Sequence, residues 1–110
     1  MKKKLFAVIL VLTALVVLEL CEEQNLSLEN ELTVPAEAEG VEGSSLYLKA
    51  GERLTLEELM YGLMLQSGND AAAALAIYCG GSIDAFAEKM NRKADSLGLN
   101  NTNYVNPHGL

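Results

Sequence analysis

Hydrophobic and polar positions divide the chain into an apolar head, a polar middle and three segments of helical period. Residues 5–18 are apolar except for Thr13 and follow a basic start, Lys2-Lys3-Lys4. That is the layout of a secretory n-region and h-region, and the run is short for a membrane-crossing helix. Glu19, Glu22 and Glu23 stand where a small-x-small cleavage signal would be, so an export signal, an uncleaved anchor and a buried core helix all remain open. Residues 21–31 are polar and acidic and read as a linker. Leu32-Thr33-Val34-Pro35 is a short extended piece whose proline bars a central-strand role for its end. Residues 36–43 read as an irregular surface connection, residues 44–48 as a brief strand, and Ala50-Gly51-Glu52 as a turn.

Thr55 opens the best-signalled helix. Thr55 and Glu58 make a Thr-x-x-Glu capping box, which pairs amide donors left over at a helix start. Leu56, Leu59, Met60, Leu63 and Met64 then recur on one face, and the helix is expected to stop near Gln66 or Ser67. The break Ser67-Gly68-Asn69-Asp70 follows, with Asn69 or Asp70 expected to cap a second helix over residues 71–78. Its four successive alanines have the best helix propensity and permit close helix approach. Gly80-Gly81 ends it. Ser82 is the expected cap of a third helix, with Ile83, Phe86, Ala87, Met90, Ala94 and Leu97 on one face and Gly98 as its C-terminal cap. Residues 100–110, rich in Asn and carrying Pro107 and Gly109, read as a structured loop.

Composition narrows the function classes. The 110 residues allow at most one domain, half of them are hydrophobic, and the net charge is −7. So apolar a chain is not a disordered acidic tail. Nor does it suit nucleic acid, because Arg53, Lys89, Arg92 and Lys93 are interspersed with carboxylates and form no basic patch. Cys21 and Cys79 are too few for a disulfide framework or a zinc site. Cys79 reads as a small buried residue, and Cys21 as a weak candidate for lipid modification. No metal cluster, phosphate loop or dinucleotide fingerprint is present, and no cofactor is expected. Ser67, Gly68 and Asn69 taken alone are three common turn residues. His108, the single histidine, sits between Pro107 and Gly109 and reads as a loop residue.

In their wider context these residues mean more. The stretches VPAEAEGVEGSSLYLKAGERLTLEELMYGLMLQSGNDAAAALA and FAEKMNRKADSLGLNNTNYVNPHGL resemble the serine D-alanyl-D-alanine carboxypeptidases, the low-molecular-mass penicillin-binding proteins. The resemblance covers residues 32–110 and implies an α+β fold. This chain would hold mostly the helical portion of that β-lactamase/transpeptidase-like fold, incomplete here. It also implies an extracytoplasmic place in the bacterial cell envelope. The substrate would be peptidoglycan stem peptides ending in D-Ala-D-Ala, processed through an acyl-enzyme that β-lactams trap.

Three motifs carry that chemistry: Ser-x-x-Lys, Ser-x-Asn and Lys-Thr-Gly. Ser67, Gly68 and Asn69 match the second. By resemblance Ser67 relays a proton to the departing D-alanine. Asn69 hydrogen-bonds the substrate's peptide group and helps position the catalytic lysine, and Gly68 lets the backbone pass close to the site. No serine here is followed three residues later by lysine, and Lys-Thr-Gly is absent. Residues 13–19 look like the remainder of the nucleophile helix, a register that puts Ala7 and Leu10 at the serine and lysine positions. The expectation is a carboxypeptidase fragment that is inactive alone. The alternatives are a non-catalytic envelope protein binding stem peptides or a partner, and a helical protein anchored to a membrane through residues 5–20.

Overall fold

The computed structural model describes residues 2–41, 43, 46–99 and 107. Four helices carry the structure: α1 (Lys2–Glu23), α2 (Leu56–Gln66), α3 (Asn69–Gly80) and α4 (Ile83–Ser96). Two short strands, β1 (Glu31–Thr33) and β2 (Arg53–Thr55), pair antiparallel with Leu32 opposite Leu54, and a 3-10 turn spans Ala36–Ala38. This is the expected mixture, dominated by helix with little sheet.

The apolar head is the N-terminal part of α1, and from Val8 onward its packing is that of a core helix. Ile9, Leu12, Thr13, Val16, Val17 and Leu20 form a buried stripe at the helical spacing, flanked by Ala14 and Cys21. Val8, Val11 and Leu18 lie on the opposite, exposed face. Since α1 is apolar all round, its composition could not say which face would be covered. Among the described residues no helix is long and apolar enough to cross a membrane.

At the centre lies α3, packed against α1, α2, α4 and the 3-10 turn. Every residue from Asn69 to Ala76 is buried, which only a run of small side chains allows when neighbours close in from all sides. On α2 the capping box forms as its sequence predicts, with the Glu58 N–H donating to Thr55 Oγ1 at 3.0 Å and the Thr55 N–H to Glu58 Oε1 at 2.9 Å. Ser82 caps α4 by accepting the Ala85 N–H at 3.0 Å, and Gly98 follows it with φ +78°. A left-handed residue there costs least as glycine.

Several expectations are corrected. The linker at 21–31 is not free: α1 continues through Glu23, Cys21 is buried, and Gln24 Nε2 donates to the Cys79 carbonyl at 2.7 Å. The described residues of 44–48 form no strand. The strand partner of β1 is Arg53–Thr55 instead, because the turn at Ala50-Gly51 folds that segment back. Backbone bonds carry the pairing outward on both sides, from the Val34 N–H to the Glu52 carbonyl at 2.8 Å and from the Glu57 N–H to the Leu28 carbonyl at 2.9 Å. The second helix starts at Asn69, with Gly68 as its cap and no side-chain capping bond. Met64 and Leu97, expected in the core, are exposed at the ends of their stripes. The reading of 100–110 as a structured loop, His108 included, lies outside the described residues except at Pro107.

Candidate functional site at the corner of two helices

The corner between α2 and α3 is made by three residues in three backbone states. Ser67 closes α2 in the left-handed region, at φ 52° and ψ 41°, and its N–H bonds back to the Gly62 carbonyl. Gly68 also donates to the Gly62 carbonyl, at 3.2 Å, and then runs extended at φ −66°. Asn69 is the first residue of α3, and it is buried. A serine in the left-handed region carries roughly 1–2 kcal/mol of strain, the kind of cost that concentrates at functional sites.

Glycine at 68 answers to space rather than to φ. A Cβ there would meet Leu46 Cγ at 3.0 Å and Asp70 Oδ1 at 3.3 Å. Gly62 faces the same side chain, since a Cβ on it would run into Leu46 Cδ1. Leu46 thus lies over both glycines and closes the corner from the outside.

Asp70 fixes Leu46 there. Its carboxylate accepts the Leu46 N–H, the Leu48 N–H at 2.9 Å and the N–H of Ala71 at 2.9 Å. A carboxylate only 1% exposed is stable when several amides bond it, and these three do so. The sequence suggested Asp70 only as a cap. The available signal was a lone acid ahead of four alanines, a charge that helix packing would bury and so oblige to find donors.

Inside the corner is a cavity of about 10 Å³, lined by Ile9, Leu10, Leu63, Ser67, Asn69, Ala72 and Pro107. That is room for no more than about one water molecule. Ser67 and Asn69 line this cavity together, and Leu10 of α1 lines it with them. Ala7 lies one turn earlier on the same helix. None of the described residues lining the cavity is ionisable, so the lining itself offers no general base.

Thr13 completes the arrangement and was missed as a site residue. It is fully buried and its hydroxyl donates to the Pro107 carbonyl at 2.7 Å, which ties Pro107 to α1 at the corner. Its signal was being the one hydroxyl in a long apolar run, where a buried donor must find an acceptor. Among the described residues no cluster of His, Cys, Asp or Glu is suited to a metal ion.

Comparison with known proteins gives the corner its context. The sequence profile described as D-alanyl-D-alanine carboxypeptidase, peptidase S11, matches residues 4–110, the apolar head included. The D-alanyl-D-alanine carboxypeptidase DacF of Bacillus subtilis is 36% identical over 100 residues, covering 91% of this chain and 26% of its own length. Among solved structures, the carboxypeptidase DacD of Francisella tularensis superposes with a TM-score of 0.86 at 37% identity, over 93% of this chain and 25% of its own. Penicillin binding protein 6B of Escherichia coli does so with a TM-score of 0.86 at 33% identity, over 93% and 34%. The chain thus spans about a quarter to a third of the length of these three proteins. A profile match over nearly the whole sequence, with a backbone that superposes on these solved structures over 93% of its length, leads to one conclusion: the chain belongs to the D-alanyl-D-alanine carboxypeptidase family of serine peptidases, S11.

Proposed function

We propose that this chain is the helical, Ser-x-Asn-bearing portion of a serine D-Ala-D-Ala carboxypeptidase of the bacterial cell envelope, and that it catalyses no acyl transfer alone. In the complete site the substrate is a peptidoglycan stem peptide. Ser67 passes a proton to the departing D-alanine, Asn69 bonds the substrate's peptide group, and Gly68 keeps the backbone close. Residues 1–20 then belong to the remnant of the nucleophile helix, and residues 32–110 to a partial catalytic domain.

The observation that carries this reading is that Leu10 lines one cavity with Ser67 and Asn69. A residue positioned to deprotonate a serine needs a basic side chain, and an unactivated hydroxyl is a poor nucleophile. The alternative, a non-catalytic protein that binds stem peptides, requires a groove larger than a cavity of about 10 Å³.

Intact mass spectrometry of the purified chain after exposure to a β-lactam tests the proposal. The expected spectrum has no adduct, and no D-alanine is released from a D-Ala-D-Ala peptide. An adduct mapped to Ser67 would overturn it.

A further inference from the structure

The chain's two cysteines, which the chemistry above leaves unused, meet. Cys21 lies in the last turns of α1 and Cys79 in the last turns of α3, and both are buried, at 5% and 4% exposure. α1 packs against α3, and the two thiols lie close enough for each to perturb the other's ionisation. The backbone is tied at the same place, since Gln24 Nε2 donates to the Cys79 carbonyl at 2.7 Å and the Leu26 N–H to the Cys21 carbonyl at 2.8 Å. No third metal ligand joins them among the described residues.

We propose that Cys21 and Cys79 are a bridging pair, a site of disulfide formation that joins the C-terminal ends of α1 and α3. Two small buried thiols are commonly only core filling. Here the only two cysteines of the sequence are buried on two helices that pack together, and Gln24, three residues after Cys21, is bonded to the backbone of Cys79. They also lie at helix ends, where the backbone can adjust to the strict geometry of a disulfide more readily than in mid-helix.

The oxidant is a dithiol donor in its disulfide form. One thiolate attacks the donor disulfide, making a mixed disulfide and releasing the donor's first sulfur as a thiol. The second cysteine's thiolate then attacks the protein-side sulfur, forming the Cys21–Cys79 bond and releasing the donor's second sulfur. Two electrons and two protons leave the protein, and the donor ends as a dithiol. Burial makes attack slow and routes it through opening of the last turn of α1, which leads into the exposed residues Glu22, Glu23, Gln24 and Asn25.

The bridge would act at a distance on the corner. Leu10 and Cys21 lie along α1 in the same order as Asn69 and Cys79 along α3, with Leu10 and Asn69 lining one cavity and the far ends tied by the bond from Gln24 to the Cys79 carbonyl. The two helices therefore run side by side in the same direction. A covalent bond at the far end fixes the register of α1 on α3, and with it the residue that faces Asn69.

Equilibration of the wild-type chain with reduced and oxidised dithiothreitol, in native buffer and in guanidinium, tests this. Thiols are trapped by alkylation, counted by mass, and the bridge is located by peptide mapping. The expected equilibrium constant for bridging is at least about tenfold larger in native buffer, about 30 mV in potential. The thermal midpoint of the wild type is expected to rise on oxidation, and that of C21S/C79S to stay put. An equal or smaller constant in native buffer, or a midpoint that fails to rise in the bridged wild type, would overturn the proposal.

Discussion

Asp70 holds Leu46 through both carboxylate oxygens, at 3.0 and 3.1 Å from the Leu46 amide nitrogen. The segment that covers the Ser67-Gly68-Asn69 corner is therefore fastened by a residue of the helix that the corner begins. Cover and site are one unit, so a change in one is felt in the other.

Replacing Asp70 is the direct check on that unit. D70A leaves the Leu46 and Leu48 amides without their acceptor, and charge-assisted bonds of this kind are worth about 1.5–3 kcal/mol each. A loss of about 2–4 kcal/mol in urea unfolding is expected, with D70N losing roughly half of that because its carbonyl still accepts. Amide hydrogen exchange at Leu46 and Leu48 is expected to quicken in both variants. A D70A protein as stable as the wild type would show that the cover is held by something else.

Ser67 is predicted to be retained at a stability cost. Its left-handed backbone favours glycine, so S67G is expected to raise stability by about 0.5–1 kcal/mol after the extra freedom of glycine in the unfolded chain is allowed for. Urea midpoints at matched slopes measure this. A loss in S67G would mean that the hydroxyl stabilises the corner, and the strain argument for a site would fail.

The thiols predict a stability loss at alkaline pH in the reduced protein. Burial, with neighbouring Cys21 adding to it, pushes the Cys79 thiol from 9.0 up to about 12. Below pH 9 the thiol is protonated in folded and unfolded chains alike, and its contribution is fully present. Between about pH 9 and 12 the unfolded chain releases a proton that the folded chain keeps. Stability then falls by roughly 1 kcal/mol per pH unit until the folded thiol also ionises. Chemical unfolding over that range, compared between wild type and C79A, isolates the effect, with the wild type falling more steeply. Parallel curves would remove the cause assigned here.

Local chemistry was readable wherever neighbours in sequence are also neighbours in space. The Thr55–Glu58 box and the Ser82 cap are three-residue relationships, and both appear as written. The glycine after α4 is equally local. The break at Ser67-Gly68-Asn69 was legible as a motif, but its geometry was not. Gly68 caps α3 in place of an Asx side chain because Asp70 turns its carboxylate to Leu46 and Leu48, residues more than twenty positions earlier.

The sequence by itself determined α2, α3 and α4, the motif and the family, and it determined that Ser-x-x-Lys and Lys-Thr-Gly are missing from these 110 residues. Each of these follows from residue identity and short spacing. Only the tertiary structure decided which face of an all-apolar α1 is buried, that Leu10 lines one cavity with Ser67 and Asn69, that Thr13 holds Pro107, and that the ends of α1 and α3 carrying Cys21 and Cys79 pack together. The physical reason is common to all four. A uniform apolar run carries no periodic signal of its own, so its orientation is chosen by whatever surfaces pack against it, and those surfaces come from the far end of the chain.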